Sequence, residues 1–157
     1  MADDGISTTS ASPTAPEDAA LQDALAAAHA AVWGYGVVGA ALPVEAREPV
    51  VAAEHAHQDL RDQLTALLTS RQADPVDDEA GYALPFPVLS AIDAAALAVT
   101  LEDGAAAAWT WVLDQATERS TRVLAVAALT AAELRAVGWR ARAGRPTVTS
   151  AFPGLPQ

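Results

Sequence analysis

Alanine constrains this chain more than any other residue type. It fills roughly a quarter of the 157 positions, several times ordinary usage. Alanine loses no side-chain entropy in a helix and packs poorly as a strand residue. An all-β fold is therefore excluded, and helices that approach one another closely are expected. Only 5% of the residues are aromatic while 52% are apolar, so the core has to be built from small aliphatic groups.

Punctuation divides the chain. Residues 1–16 are Ser/Thr/Ala/Pro/Asp with little to bury and read as a disordered leader. A first helix is expected from Glu17 to Leu42, stopped by Pro43, and a second from Val44 to Arg71. An 18-residue connector, Gln72 to Leu89, carries the acids Asp74, Asp77, Asp78 and Glu79 and the extended run Tyr82-Ala83-Leu84-Pro85-Phe86-Pro87. Ser90 is placed to cap a third helix reaching Ala116. A fourth runs from Arg119 to Ala143 and ends at Gly144. Short, long and short connections describe an all-α, ferritin-like four-helix bundle over residues 17–145, with a long crossover between helices 2 and 3. Residues 146–157 form a tail expected to pack on the bundle. Phe86 and Tyr82 are expected to plug the bundle where the crossover passes.

Charge and composition exclude several function classes. The formal net charge is −11, so a general basic field for nucleic acid is absent. The charge is uneven: from Arg119 onward it is +5, and everything before carries −16. Pairing of the last helix with its acidic neighbours accounts for this polarity. With no cysteine, disulfides, thiolate metal sites and cysteine nucleophiles are ruled out. The start, Met1-Ala2-Asp3-Asp4, lacks the basic and apolar regions of an export signal, so a cytoplasmic location is expected. Ala24 to Val44 contains no Asp, Glu, Lys or Arg and is long enough to span a bilayer. It is mostly Ala and Gly, however, with His29, Trp33 and Tyr35 inside it and no flanking positive charge, which describes a buried helix and no membrane segment.

Steps of 100° per residue select the polar groups that turn inward. On the first helix Leu21, Leu25, Val32, Gly36 and Gly39 form the expected core stripe, with His29 in its middle. On the second, Ala53, Ala56, Leu60, Leu64 and Leu67 carry His57 among them and Glu54 at the edge. On the third, Glu102 lies among Ala98, Ala105, Trp109 and Val112. The fourth is expected to face inward with Val123, Val126, Thr130, Leu134 and Val137. A carboxylate on an Ala/Trp face is costly without a cation or strong donors, which makes Glu102 the most informative residue of the chain. Glu54 and His57 form a Glu-x-x-His step of the kind that presents a carboxylate and an imidazole to metals in helical bundles. Four candidate metal ligands follow: His29, Glu54, His57 and Glu102, for iron or manganese. The site is incomplete as a di-iron centre. Ala28 stands where the first helix would need a carboxylate, and the fourth helix reads Glu133-Leu134-Arg135-Ala136 in place of a second Glu-x-x-His. The alternative is a buried His–Glu network, with Glu102 paired to His57 or His29, no cofactor and no catalysis. Gly34-Tyr35-Gly36-Val37-Val38-Gly39 matches a nucleotide-loop spacing but sits inside a helix, where it reads as close helix packing.

The stretch His29-Ala30-Ala31-Val32-Trp33-Gly34-Tyr35-Gly36-Val37-Val38-Gly39-Ala40 resembles a bacterial ferritin-like family catalogued as a domain of unknown function. The likeness recurs at Tyr82–Val88, at Leu101-Glu102-Asp103-Gly104, and at Gly138-Trp139-Arg140 with Phe152-Pro153-Gly154. It spans Leu21 to Gly154. Relatives carry Glu before the first-helix His, where this chain has Ala28. The resemblance implies a ferritin-like bundle inside the cell with no assigned activity. The function expected is structural or interactive, through a homodimer or another protein partner, with a degenerate metal site. Trp111, on a different side of its helix from Trp109, marks a possible subunit contact.

Overall fold

The computed structural model describes residues 14–149, 152 and 154. Its helices are α1 (Ala15–Ala40), α2 (Glu48–Ser70), α3 (Ala91–Gln115) and α4 (Arg119–Arg142), with a 3₁₀ turn at Val44–Ala46 and no strand among the described residues. The leader expected over residues 1–16 lies outside the described residues as far as position 13, and α1 already begins at Ala15. The second helix starts later than expected. A proline in its first turn fixes the entry, and Arg47 ties the linker back by donating from Nε to the Leu42 carbonyl at 2.9 Å.

The other ends follow their local chemistry. Ser90 Oγ accepts from the Asp93 N–H at 3.1 Å while Asp93 Oδ2 accepts from the Leu89 N–H at 3.1 Å, so two donors at the start of α3 are satisfied reciprocally. Past α4, Gly144 adopts φ +67, and the Arg145 N–H reaches the Arg140 carbonyl at 2.8 Å to close the helix.

The four helices pack α2 on α1, α1 on α3, and α3 on α4. Contacts between distant ends give the directions: Glu17 meets Arg71 and Thr117, and Tyr35 meets Glu102, so α1 runs antiparallel to both neighbours. Two large apolar clusters fill the interior, one around Tyr35, Leu97 and Trp139 and the other around Leu21, Leu64, Leu68 and Trp109, with a small third of Ala105, Ala106 and Ala132. A Cβ added at Gly34 would lie 2.7 Å from Leu101 Cδ1, so α1 and α3 approach as closely as a missing side chain allows. Gly39 has a similar but looser fit against Val50, and Gly36 faces open space.

Two expected faces depart from the core, α1 in its second half and α4 along its length. On α1 Leu21 and Leu25 are buried as expected, but beyond them the buried line is Ala28, Ala31, Tyr35 and Val38, with Val32 and Gly39 half-buried and Gly36 exposed. On α4 the buried line is Thr121, Ala125, Ala128, Ala132, Ala136 and Trp139. Val123, Val126 and Leu134 are 61%, 54% and 66% exposed. On α4 the expected line gives the core to bulky aliphatics where close packing gives it to alanine, and on α1 it runs through Val32, Gly36 and Gly39 where the core takes Ala28, Ala31, Tyr35 and Val38.

The crossover runs along the outer side of α1. The Gln22 amide donates to the Asp74 carbonyl at 2.6 Å and accepts from the Val76 N–H at 2.8 Å. Trp33 packs against Tyr82 at 5.7 Å, and Phe86 and Val88 pack on the cluster around Tyr35. In the tail, Gly154 takes φ +78 with its Cα seated against α3, where a Cβ would meet Ala106 O at 2.7 Å.

Candidate functional site

Three of the helices each send one side chain to a single oxygen atom of the fourth. Glu102 of α3 is fully buried. Its Oε1 accepts from Tyr35 Oη of α1 at 2.5 Å, from His57 Nε2 of α2 at 3.1 Å, and from Arg135 Nε of α4 at 2.8 Å. A carboxylate can only accept while ionised, so the histidine nitrogen facing it carries the proton. Burial alone would raise the Glu102 carboxyl. The hydrogen bonds from His57 and Arg135 outweigh burial and hold it below the usual carboxylate range. Burial, reinforced by the neighbouring Glu102 charge, drives the Tyr35 phenol far above its ordinary value, so it remains a neutral donor. Tyr35 is held between the His57 ring at 5.7 Å and the Trp139 ring at 6.1 Å. Two atoms of this cluster, Glu102 Oε2 and Arg135 Nη2, are buried with no hydrogen-bond partner among the described residues.

Of the four sequence-derived ligands, the structure brings together His57 and Glu102. His29 does not join them. It is half-buried on the crossover side of α1, with Nε2 3.2 Å from the Val76 carbonyl, because the true core line passes through Ala28. Glu54 is half-buried at the edge of α2 and accepts from Gln58 Nε2 at 3.3 Å. Among the described residues no three His, Asp or Glu side chains converge as metal ligands. The donor set does not fit iron or manganese: one imidazole and one carboxylate are too few, and a guanidinium, charged at any ordinary pH, already occupies the carboxylate's first contact. The concavities around Trp139, Trp111, Phe86 and Val126 are lined by none of Tyr35, His57, Glu102 and Arg135.

Sequence reasoning found Glu102 and His57 and missed Tyr35 and Arg135. The 4-3-4-3 spacing of Ala24, Ala28, Ala31, Tyr35 and Val38 would have placed Tyr35 inward. For Arg135, the signal is that a buried carboxylate needs a cation on a facing helix.

A second buried carboxylate pins one end of the bundle. Glu17, fully buried, accepts on Oε2 from Thr117 N (2.7 Å), Thr117 Oγ1 (2.6 Å) and Glu118 N (3.2 Å). Its Oε1 accepts from Thr121 Oγ1 (2.5 Å) and Arg71 Nη2 (2.7 Å). Burial opposes ionisation here, but the hydrogen bonds from Thr117, Thr121 and Arg71 prevail and lower the Glu17 carboxyl to about 2. Arg71 also reaches Asp18 at 2.7 Å and Glu118 at 3.1 Å. The basic C-terminal helix is partly used in the same way, with Arg140 against Asp103 (2.6 Å) and Glu133 (3.6 Å).

None of the described helices is long and apolar enough to cross a membrane. No curated protein matches the sequence. A crystal structure of a conserved hypothetical protein, rv2844, from Mycobacterium tuberculosis is similar in fold, with a TM-score of 0.81 and 39% identity over 90% of this chain and 100% of that one. The family model described as a domain of unknown function, DUF4439, matches residues 20–157, and the chain belongs to that family.

Proposed function

We propose that the chain is a ferritin-like bundle with a structural or interactive role inside the cytoplasm, whose interior polar cluster sets helix register and performs no reaction. The observation that carries this reading is the convergence of Tyr35, His57 and Arg135 on Glu102 Oε1, one group from each of the other three helices. A bundle interior made largely of alanine offers many near-equivalent registers, and one buried acceptor with three matched donors selects among them. Partner binding, to a protein or a second copy, is the activity left to such a scaffold. The alternative of an iron or manganese centre would need His29 and Glu54 to leave the crossover and the helix edge and face the core.

Anaerobic purification with iron or manganese, followed by metal analysis of the wild type beside Glu102→Ala, tests the reading. The expected result is metal far below stoichiometric in both, with the variant less stable. Stoichiometric metal in the wild type overturns the reading, whether or not the variant folds.

A further inference from the structure

The outer face of α4 carries an exposed aliphatic stripe. Placed at 100° per residue, Val123, Val126, Ala127, Thr130 and Leu134 lie opposite the buried alanines, and the three large side chains are each more than half exposed. Near the start of α4 the stripe deepens into an apolar concavity of about 340 Å³ lined by Arg119, Arg122, Val123, Val126 and Ala127. Neither arginine has a carboxylate partner among the described residues: Arg122 donates to the Ala116 carbonyl and caps α3, and Arg119 is exposed. An apolar hollow between two unneutralised guanidiniums selects an aliphatic side chain with acids beside it.

Resting on the interaction reading above, we propose that this face docks an acidic amphipathic helix from another protein. One of its aliphatic side chains fills the hollow, and its carboxylates meet Arg119 and Arg122. Charge argues against a second copy. Antiparallel pairing of α4 about the Thr130–Ala131 step sets Arg119 level with Arg142, and parallel pairing sets Arg119 against itself. The acidic outer face of α2, with Asp59 and Asp62, offers Val51 as its only large exposed apolar side chain among the described residues. An anionic lipid surface fits less well than a helix, because the hollow takes one side chain and the rest of the chain carries −16.

The probe is a synthetic helical peptide of about 20 residues with leucines on one face and glutamates beside them, compared with a twin carrying lysines. Binding to the full chain is read by fluorescence anisotropy. The glutamate peptide is expected to bind at least about tenfold more tightly than its twin, with the gap shrinking at high salt. Val126→Glu, at an exposed position, should lose about tenfold or more while thermal unfolding is unchanged, and Arg119→Glu should reverse the preference. Equal binding of the two peptides, or binding indifferent to Val126→Glu, overturns the proposal. So does self-association, or binding to phosphatidylserine vesicles, that Val126→Glu abolishes. Metal analysis of the same preparation keeps failure of the preceding reading distinct: stoichiometric metal overturns that one, and the peptide preference decides this one.

Discussion

Replacing Glu17 by Gln keeps the shape of a fully buried side chain and removes its charge. In the native state burial opposes ionisation, but hydrogen bonds from Thr117, Thr121 and Arg71 lower the carboxyl from 4.5 to about 2, so its ionised form is stabilised by about 3 kcal/mol at 1.36 kcal/mol per pKa unit. Because the folded value is the lower one, this stabilisation is complete above pH 4.5 and is lost as pH falls towards 2. Urea unfolding followed by far-UV circular dichroism at several pH values measures it. At pH 7, Glu17→Gln should be less stable than the wild type by about 3 kcal/mol. Between pH 4.5 and 2 the gap should close to within about 1 kcal/mol, since the protonated wild type then resembles the amide. A gap that stays constant across that range would refute the reasoning, because the donors would then be indifferent to the charge they surround.

Glu102→Gln leaves Arg135 and His57 without their carboxylate and should cost about 3–5 kcal/mol at pH 7, read as a lower urea midpoint with an unchanged slope. Tyr35→Phe removes one of three donors to the same oxygen and should cost about 1–2 kcal/mol in the same assay. Gly154→Ala demands a positive φ and drives a methyl into Ala106 O and Ala107 Cα, so the tail should detach from α3 and its amides exchange faster. Gln22→Ala should raise amide exchange at Val76 while leaving the midpoint of α3 unchanged.

The four helices were readable because their ends carry specific chemistry: Ser90 with Asp93, Gly144, Pro43 and the proline pair of the crossover. The faces of α2 and α3 were readable because Leu64, Trp109 and Val112 are bulky enough to mark the core, and Glu102 and His57 followed from them. On α4, and on α1 beyond Leu25, much of the core side is alanine, which marks no stripe by itself, so the apolar pattern follows valine, leucine and glycine instead. That misphasing put His29 inside, left out Tyr35 and Arg135, and placed Val123, Val126 and Leu134 in the core. Glu17 was read as an ordinary helix start, since its partners Arg71, Thr117 and Thr121 lie more than 50 positions away. No local pattern announces such a contact.

Gln22 and His29 hold the crossover by its peptide groups at Asp74 and Val76. A tether to the main chain is blind to what the tethered residues are. The acids from Asp74 to Glu79 can therefore drift, or be exchanged for a different sequence of equal length, while the route over α1 stays the same. Asp78 also acts on Arg61 of α2 through its charge, so a change there reaches that helix, while a change that keeps the peptide groups in place leaves these two tethers intact.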